Sequence, residues 1–256
     1  HKPLFEKARE LGILIFSSPF DFSAVDFLET LHVPAYKVAS FELLDLSLIE
    51  YIASKKKPMI ISTGMAQKED IEKAIKTSKK AGASEILLLH CVSGYPTPVS
   101  EINLEMINQL AIDFNLPIGL SDHTLGTLIP SLSIALGSCV IEKHFTLSRN
   151  DGGPDAAFSI EPNELKVLVE NCYDAWEAKG KRNYKRSPSE IKNMKFRRSL
   201  YVVKDLLKGE IFTNHNIRSI RPGYGMNPSC LGDILNKRAA HDLKEGTALK
   251  KEHVID

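Results

Sequence analysis

Six apolar strand-like runs, each followed by a stretch of helical period and each ending in a polar tip, predict an α/β fold. The number of runs and the chemistry at every tip select the (β/α)8 TIM barrel within that class, lacking its first two strands. A third observation, a change to short strand-like pieces after residue 195, predicts a small β-rich C-terminal domain.

Taken in order, Leu4–Glu10 reads as a helix, the one that would follow a second barrel strand. The strand candidates are Ile13–Ser17, Ala35–Ser40, Met59–Thr63, Ile86–Cys91, Ile118–Ser121 and Val140–His144. Between them lie Ala24–Leu31, Leu43–Ala53, Lys68–Ala81, Glu101–Ala111 and Thr127–Leu136, with apolar spacing near three and four. Gly82 and Gly137 stand where helix C-caps are expected. Nearly continuous apolar strands imply a parallel sheet covered on both faces. The tips carry Ser17-Ser18, Lys37 with Ser40, Ser62-Thr63, His90 with Ser93, Ser121 with His123, and His144. A doubly wound sheet gathers ligands at one switch point, whereas every barrel tip faces the same mouth, so six polar tips favour the barrel. After Phe145 a loop leads to Pro162 and a helix running to about Lys179, with Glu161 and Glu164 suited to its positive end. The expected domains are 1–180 (partial barrel), 181–195 (a basic, polar linker) and 196–256. The last contains the strand-like pieces Ser199–Val203, Glu210–Phe212, Ile217–Ile220 and Thr247–Leu249.

Composition narrows the function. The 256 residues are 43% hydrophobic and 25% charged, enough for a sizeable core. A net charge of +1 argues against a general nucleic-acid binder, and no apolar run reaches membrane-spanning length, so no membrane partner is expected. Cys91, Cys139, Cys172 and Cys230 lack metal-type spacing. Cys91 and Cys139 sit in or beside apolar runs, as buried reduced thiols of a cytoplasmic protein would. The start, His1-Lys2-Pro3, resembles neither a signal peptide nor an initiator, and the chain is expected to lack its native N-terminus.

Two constellations carry chemistry. His123 and His144 close successive strands about twenty residues apart, one βα unit, which brings their imidazoles side by side. A lone strand histidine is most often a satisfied core residue; two at neighbouring strand ends favour ligation of a metal. With no cysteine or carboxylate cluster the site is open, which suits a divalent metal such as Mn²⁺ or Mg²⁺ acting as a Lewis acid. Glu142 shares the strand face of His144 and is a ligand or a group behind one. The second constellation is Lys37 with Ser40, Ser62, Ser93 and Ser121. A single serine at a strand end is usually a helix cap, but several hydroxyls around one mouth with a lysine form a cradle for a phosphate or carboxylate. Gly152-Gly153-Pro154-Asp155 is a turn that could close over substrate, and Arg221 in its Gly-Pro loop reads more readily as a solvated arginine than as a site residue.

The segments Ser17–Phe20, Pro34–Ser40, Ile61–Met65, His90-Cys91 through Tyr95-Pro96-Thr97-Pro98, Gly119–Leu125 and Glu142–Phe145 together resemble the sialic acid synthase family. Residues from about Phe196 onward, including Arg198-Ser199-Leu200 and Arg221-Pro222-Gly223, resemble its antifreeze-like (SAF) domain. The resemblance implies an enzyme that condenses phosphoenolpyruvate with an N-acetylated amino sugar to a nine-carbon 2-keto acid. It implies that His123 and His144 hold the metal and that Ser18, Lys37, Ser40, Ser62 and Ser121 hold phosphoenolpyruvate. Ser93 stands where well-known members carry Asn. Glu42, Tyr95 and Asp155 match positions around the sugar, and Arg221 matches an arginine lent to a second subunit, which implies a domain-swapped homodimer. The family's Glu on the first strand and Lys on the second are not in this sequence, so the chain by itself is expected to be inactive. Ala156-Ala157-Phe158 replaces the His-containing segment of the neuraminic and legionaminic acid synthases. It resembles the branch that makes pseudaminic acid from a 6-deoxy sugar. A metal-dependent aldolase and a non-catalytic carbohydrate-binding protein are the rival readings.

Overall fold

The computed structural model describes all 256 residues. Its first unit, His1–Lys181, is built on five short apolar runs that pair side by side in one parallel sheet. They are β1 (Tyr36–Val38), β2 (Met59–Ser62), β3 (Ile86–Cys91), β4 (Ile118–Asp122) and β5 (Ile141–Lys143), hydrogen-bonded in chain order. Helices α1 (Lys2–Glu10) and α2 (Phe22–Thr30) precede β1. The crossovers are α3 (Leu46–Ser54), α4 (Lys68–Ala81), α5 (Glu105–Phe114) and α6 (Leu128–Ala135), and α7 (Pro162–Lys179) follows β5. Sequential strand order has no switch point, so every strand end faces one mouth, as in a barrel wall.

The expected first strand, Ile13–Ser17, is not one. It contributes a single parallel bridge, Ser17 to Tyr36, and Ile13 and Leu14 are 61% and 78% exposed. Its outer side has no neighbour to share a ladder, so pairing does not spread along it. The sheet therefore has five strands and one bridge where the sequence predicts six. At the other edge, β5 is continued by one bridge between Phe145 and Ile160.

Strand alternation divides the sheet into two chemistries. Tyr36, Val38, Met59, Ile61, Ile86, Leu88 and Ile118 face the helices and pack on Val25, Leu48, Ile49, Ile52, Ile75, Ile107 and Leu110. The helix ends are set by side chains: Asp21 accepts from the Ala24 N–H at 2.7 Å and Asp45 from the Leu48 N–H at 3.0 Å. Gly82 closes α4 at φ +104°, a left-handed conformation that favours glycine.

The second unit, Arg182–Asp256, has its own core of Leu200, Val202, Phe212, Ile217 and Leu249. β6 (Ser199–Val202) runs antiparallel to β7 (Ile217–Ile220), and β8 (Arg238–Ala239) to β9 (Val254–Ile255). Glu210–Phe212 and Thr247–Leu249, expected as strands, are reduced to the bridges Ile211–Arg238 and Tyr201–Ala248. The stretch expected as a linker carries a short helix, α8 (Pro188–Asn193), started by a Ser187–Glu190 capping box. Cys139, expected to be buried, is exposed; Cys91 is buried. No helix is long and apolar enough to cross a membrane.

Gly119 lies where the strands leave no room for a side chain. A Cβ there would meet Leu89 Cδ2 at 2.5 Å and the Val140 carbonyl oxygen at 2.6 Å. Gly119→Ala is expected to cost about 1–3 kcal/mol, as overpacking does, read as a lower urea midpoint at unchanged slope.

Candidate active site

On the face away from the helices, the registers bring polar residues into rows. Cys91 pairs with Ser121, and Ser121 with Glu142, one row across β3, β4 and β5. Lys37 pairs with Ile60, and Ser62 lies two residues further along the same face of β2. The Ser121 hydroxyl donates to Glu142 Oε1 at 2.6 Å, and Lys37 Nζ lies 3.7 Å from Glu142 Oε2. Burial pushes the Lys37 ammonium below the usual lysine value, and the Glu142 carboxylate only partly offsets it. A lysine so placed gains from an arriving anion. The Ser62 hydroxyl is 2% exposed as a residue and has no hydrogen-bond partner, so it too is free for a ligand.

The loops after the strands complete the cradle. Ser40 accepts from the Gly64 N–H at 3.1 Å, and a Cβ on Gly64 would collide with the hydroxyls of Ser93 and Ser40. Only glycine lets these three loops meet. Ser18 is half-buried beside Ser17, whose carbonyl accepts from the Lys37 N–H at 3.3 Å. Glu42 lies on the one-turn helix Ser40–Glu42; its Oε2 is buried without a partner, and burial raises its carboxyl above the usual range.

His123 and His144 leave adjacent strands with ring centroids 5.3 Å apart. The Val92 carbonyl lies 2.9 Å from His123 Nδ1 and can only accept, so Nδ1 carries the proton and Nε2 keeps its lone pair. Asp155 Oδ2 stands 3.5 Å from His144 Nδ1, close enough for its charge to act on that ring. Burial opposes protonation of His123, but the Cys91 thiol and the Val92 carbonyl outweigh it and hold its pKa above the ordinary value. For His144, burial and the neighbouring His123 act together and lower it. Two neighbouring imidazoles, each with a Nδ1 facing an oxygen, fit a divalent ion. No cluster of three or more His, Cys, Asp or Glu converges, which suits an open site whose other ligands are water and substrate rather than structural zinc.

Around the rings stands an aromatic wall. Tyr95 lies 4.4 Å from His123 and 5.8 Å from Phe158, and Phe158 lies 5.0 Å from His144 (centroid distances). The turn bearing Tyr95 is held by Thr97, whose N–H donates to the His123 carbonyl at 3.0 Å. The loop bearing Asp155 and Phe158 is pinned by Arg149, which donates to the Ser159 carbonyl at 3.0 Å and pairs with Glu164 at the start of α7.

The structure thus gathers Lys37, Ser40, Ser62, Ser93, Ser121, His123, His144, Tyr95 and Asp155, with Ser18 and Glu42 on the adjoining loops. Arg221 is exposed in the C-terminal unit, after β7. His90 is not at the mouth: it points to the helix side, with Nε2 2.6 Å from the Ile102 carbonyl. Cys91, expected as a buried structural thiol, lies on the polar face beside Ser121, two residues before Ser93. Counting alternate positions back from Ser93 would have put it on the polar face. A separate apolar cavity of about 730 Å³, lined by Val140, Phe145, Leu165, Val169 and Trp176, lies between β5 and α7.

A parallel α/β wall that gathers a buried lysine, serine hydroxyls and two neighbouring histidines on one face defines the class, and comparison with known proteins specifies it. Residues 1–184 match the NeuB family and residues 197–255 the SAF domain. A pseudaminic acid synthase of Campylobacter jejuni (strain 81-176) is 41% identical over 98% of this chain and 73% of its own length. An N,N'-diacetyllegionaminic acid synthase of Legionella pneumophila is 39% identical over 99% of this chain and 73% of its own. The crystal structure of the N-acetylneuraminic acid (sialic acid) synthetase of Leptospira borgpetersenii, in complex with citrate, superposes with a TM-score of 0.71 at 35% identity. It covers 75% of this chain and 67% of that one. The chain belongs to the NeuB family of sialic acid synthases, with a SAF domain at its C-terminus.

Lys37→Met removes the buried cation while keeping its volume. It is expected to weaken binding of a small anion such as inorganic phosphate about tenfold or more, measured by titration calorimetry, with little change in the thermal midpoint.

Proposed function

We propose that this protein is a pseudaminic acid synthase, condensing phosphoenolpyruvate with 2,4-diacetamido-2,4,6-trideoxy-altrose and releasing inorganic phosphate. The observation that carries the reading is the convergence of a buried lysine, unpartnered and paired serine hydroxyls and two oriented histidines on one face of the sheet. In this reading Lys37 with Ser18, Ser40, Ser62, Ser93 and Ser121 grips the phosphate and carboxylate of phosphoenolpyruvate and fixes carbon 3 toward the second substrate. Glu42, with an unpartnered buried oxygen, and Asp155 at the loop orient the sugar. His123 and His144 hold Mn²⁺ or Mg²⁺, which when bound supplies Lewis acidity to the open-chain aldehyde. Carbon 3 bonds to the aldehyde carbon, water adds to carbon 2, and C–O cleavage expels phosphate.

Phe158 supports the choice of sugar. It is buried against Tyr95 and His144, where a methyl group gains contact and a hydroxyl loses hydration. The reading further includes a homodimer in which Arg221 is lent to the site of the second copy, and a cytoplasmic location beside the phosphoenolpyruvate pool. With a sheet open at both edges, the 256 residues alone are expected to bind ligands but to turn over at background.

The test is phosphate release, with Mn²⁺, by protein isolated from its native source. It is offered the altrose, the corresponding legionaminic precursor or N-acetylmannosamine. Highest kcat/KM on the altrose is expected, and equal or higher values on either alternative overturn the assignment. His123→Ala and His144→Ala should each abolish Mn²⁺-dependent release with the fold intact by circular dichroism. Phe158→Ala should narrow the preference for the 6-deoxy sugar about tenfold, in the range one lost apolar contact supports.

A further inference from the structure

Behind the two histidines, on the helix-facing side of the sheet, lies an ion pair that the chemistry above does not use. Lys143 Nζ donates to Asp122 Oδ2 at 2.6 Å, and the two side chains are 4% and 0% exposed. The same ammonium donates to the Thr124 carbonyl at 2.6 Å, while Asp122 Oδ1 accepts from the Thr124 N–H at 3.0 Å. Asp122 immediately precedes His123, Thr124 immediately follows it, and Lys143 immediately precedes His144. One side chain next to His144 therefore grips the chain on both sides of His123.

The backbone holds each histidine from elsewhere, the His123 carbonyl by the Thr97 N–H at 3.0 Å and the His144 carbonyl by the Ile160 N–H at 2.9 Å, but those bonds do not join one histidine to the other. Pairing of β4 with β5 ends at Asp122–Lys143, so the residues that carry the rings lie just beyond the last ladder position. The ladder itself therefore does not fix one ring-bearing residue against the other. Burying a charge pair is also a poor way to stabilise a fold, because desolvation consumes most of the attraction and well-packed apolar residues often do as well. What an ion pair supplies and an apolar pair does not is direction, here two hydrogen bonds of 2.6 Å from Lys143 that fix one strand end against the other, with the Thr124 N–H to Asp122 bond shaping the chain around His123.

We propose that the buried Asp122–Lys143 pair, with Thr124, is a positioning device that sets the separation and aim of His123 and His144. Neither residue touches substrate or metal. Both act through the histidines beside them. The proposal rests on the reading of that pair as a metal site, and the experiment separates the two.

Mn²⁺ binding by the 256-residue chain is titrated by the electron paramagnetic resonance signal of the free ion, alongside thermal unfolding. The double variant Asp122→Asn/Lys143→Met keeps an acceptor for the Thr124 N–H and the volume of Lys143 while removing both charges. It is expected to unfold at nearly the same temperature and to bind Mn²⁺ about tenfold or more weakly, as loss of groups behind metal ligands does. Should the double variant not fold, Asp122→Asn alone is read in the same way. Unchanged Mn²⁺ affinity in the folded variant overturns the positioning role and leaves the metal site standing. No Mn²⁺ binding by the unsubstituted chain, or binding that survives His123→Ala, overturns the metal reading and the positioning role with it.

Discussion

Parallel register is the constraint on which the rest of this molecule depends. A strand presents alternate residues to opposite faces, and parallel pairing in chain order keeps each face continuous from one strand to the next. The pairings Lys37–Ile60, Ser62–Leu89, Cys91–Ser121 and Ser121–Glu142 place every polar side chain of the inner face on one surface. A slip of one residue in β4 would send Ser121 into the helix-packed core and bring Asp122 to the mouth. The helix-side residues resist such a slip, since Tyr36, Val38, Ile61 and Leu88 are fully buried against α2 to α5. Hydrophobic packing on one face thus enforces chemical order on the other.

The same division assigns the charged residues two tasks. Lys37 and Lys143 are both buried strand lysines, yet they face opposite ways. Lys37 looks into the mouth, donating to the Val38 carbonyl at 3.2 Å with Glu142 at 3.7 Å, and burial holds its pKa below the usual lysine value. Lys143 is fully engaged by Asp122 and the Thr124 carbonyl. The lysine with the longer contacts faces the mouth, and the one with two contacts of 2.6 Å is part of the framework. Glycines 64 and 119 mark two crowded positions, Gly64 beside the hydroxyls of Ser40 and Ser93 and Gly119 between the Leu89 side chain and the Val140 carbonyl.

Much of this was legible in the residues. The helix Lys68–Ala81 and the strand Ile86–Cys91 have the bounds their periodicity predicts, because local signals mark their ends: a Gln67–Asp70 capping box and a left-handed Gly82. Ile13–Ser17 has the composition of a strand and is not one, because pairing is a property of neighbours rather than of the segment. His90 and His123 both lie at strand ends, yet alternation sends one toward the Ile102 carbonyl and the other to the mouth. Cys91 was hidden for a similar reason, since a buried thiol in an apolar run looks structural until Ser121 is known to lie beside it.

Alone, the sequence determined the α/β class, the order of the elements, the family and the chemical types of residue that line the strand ends. These are written in local periodicity and in motifs a few residues long. Which tips share the mouth, which histidine nitrogen is left free and which lysine is spent on the framework were decided only by the tertiary structure. Those outcomes depend on contacts between residues about twenty to thirty positions apart, such as Val92 with His123 and Asp122 with Lys143, and only the folded sheet brings such residues within hydrogen-bond reach.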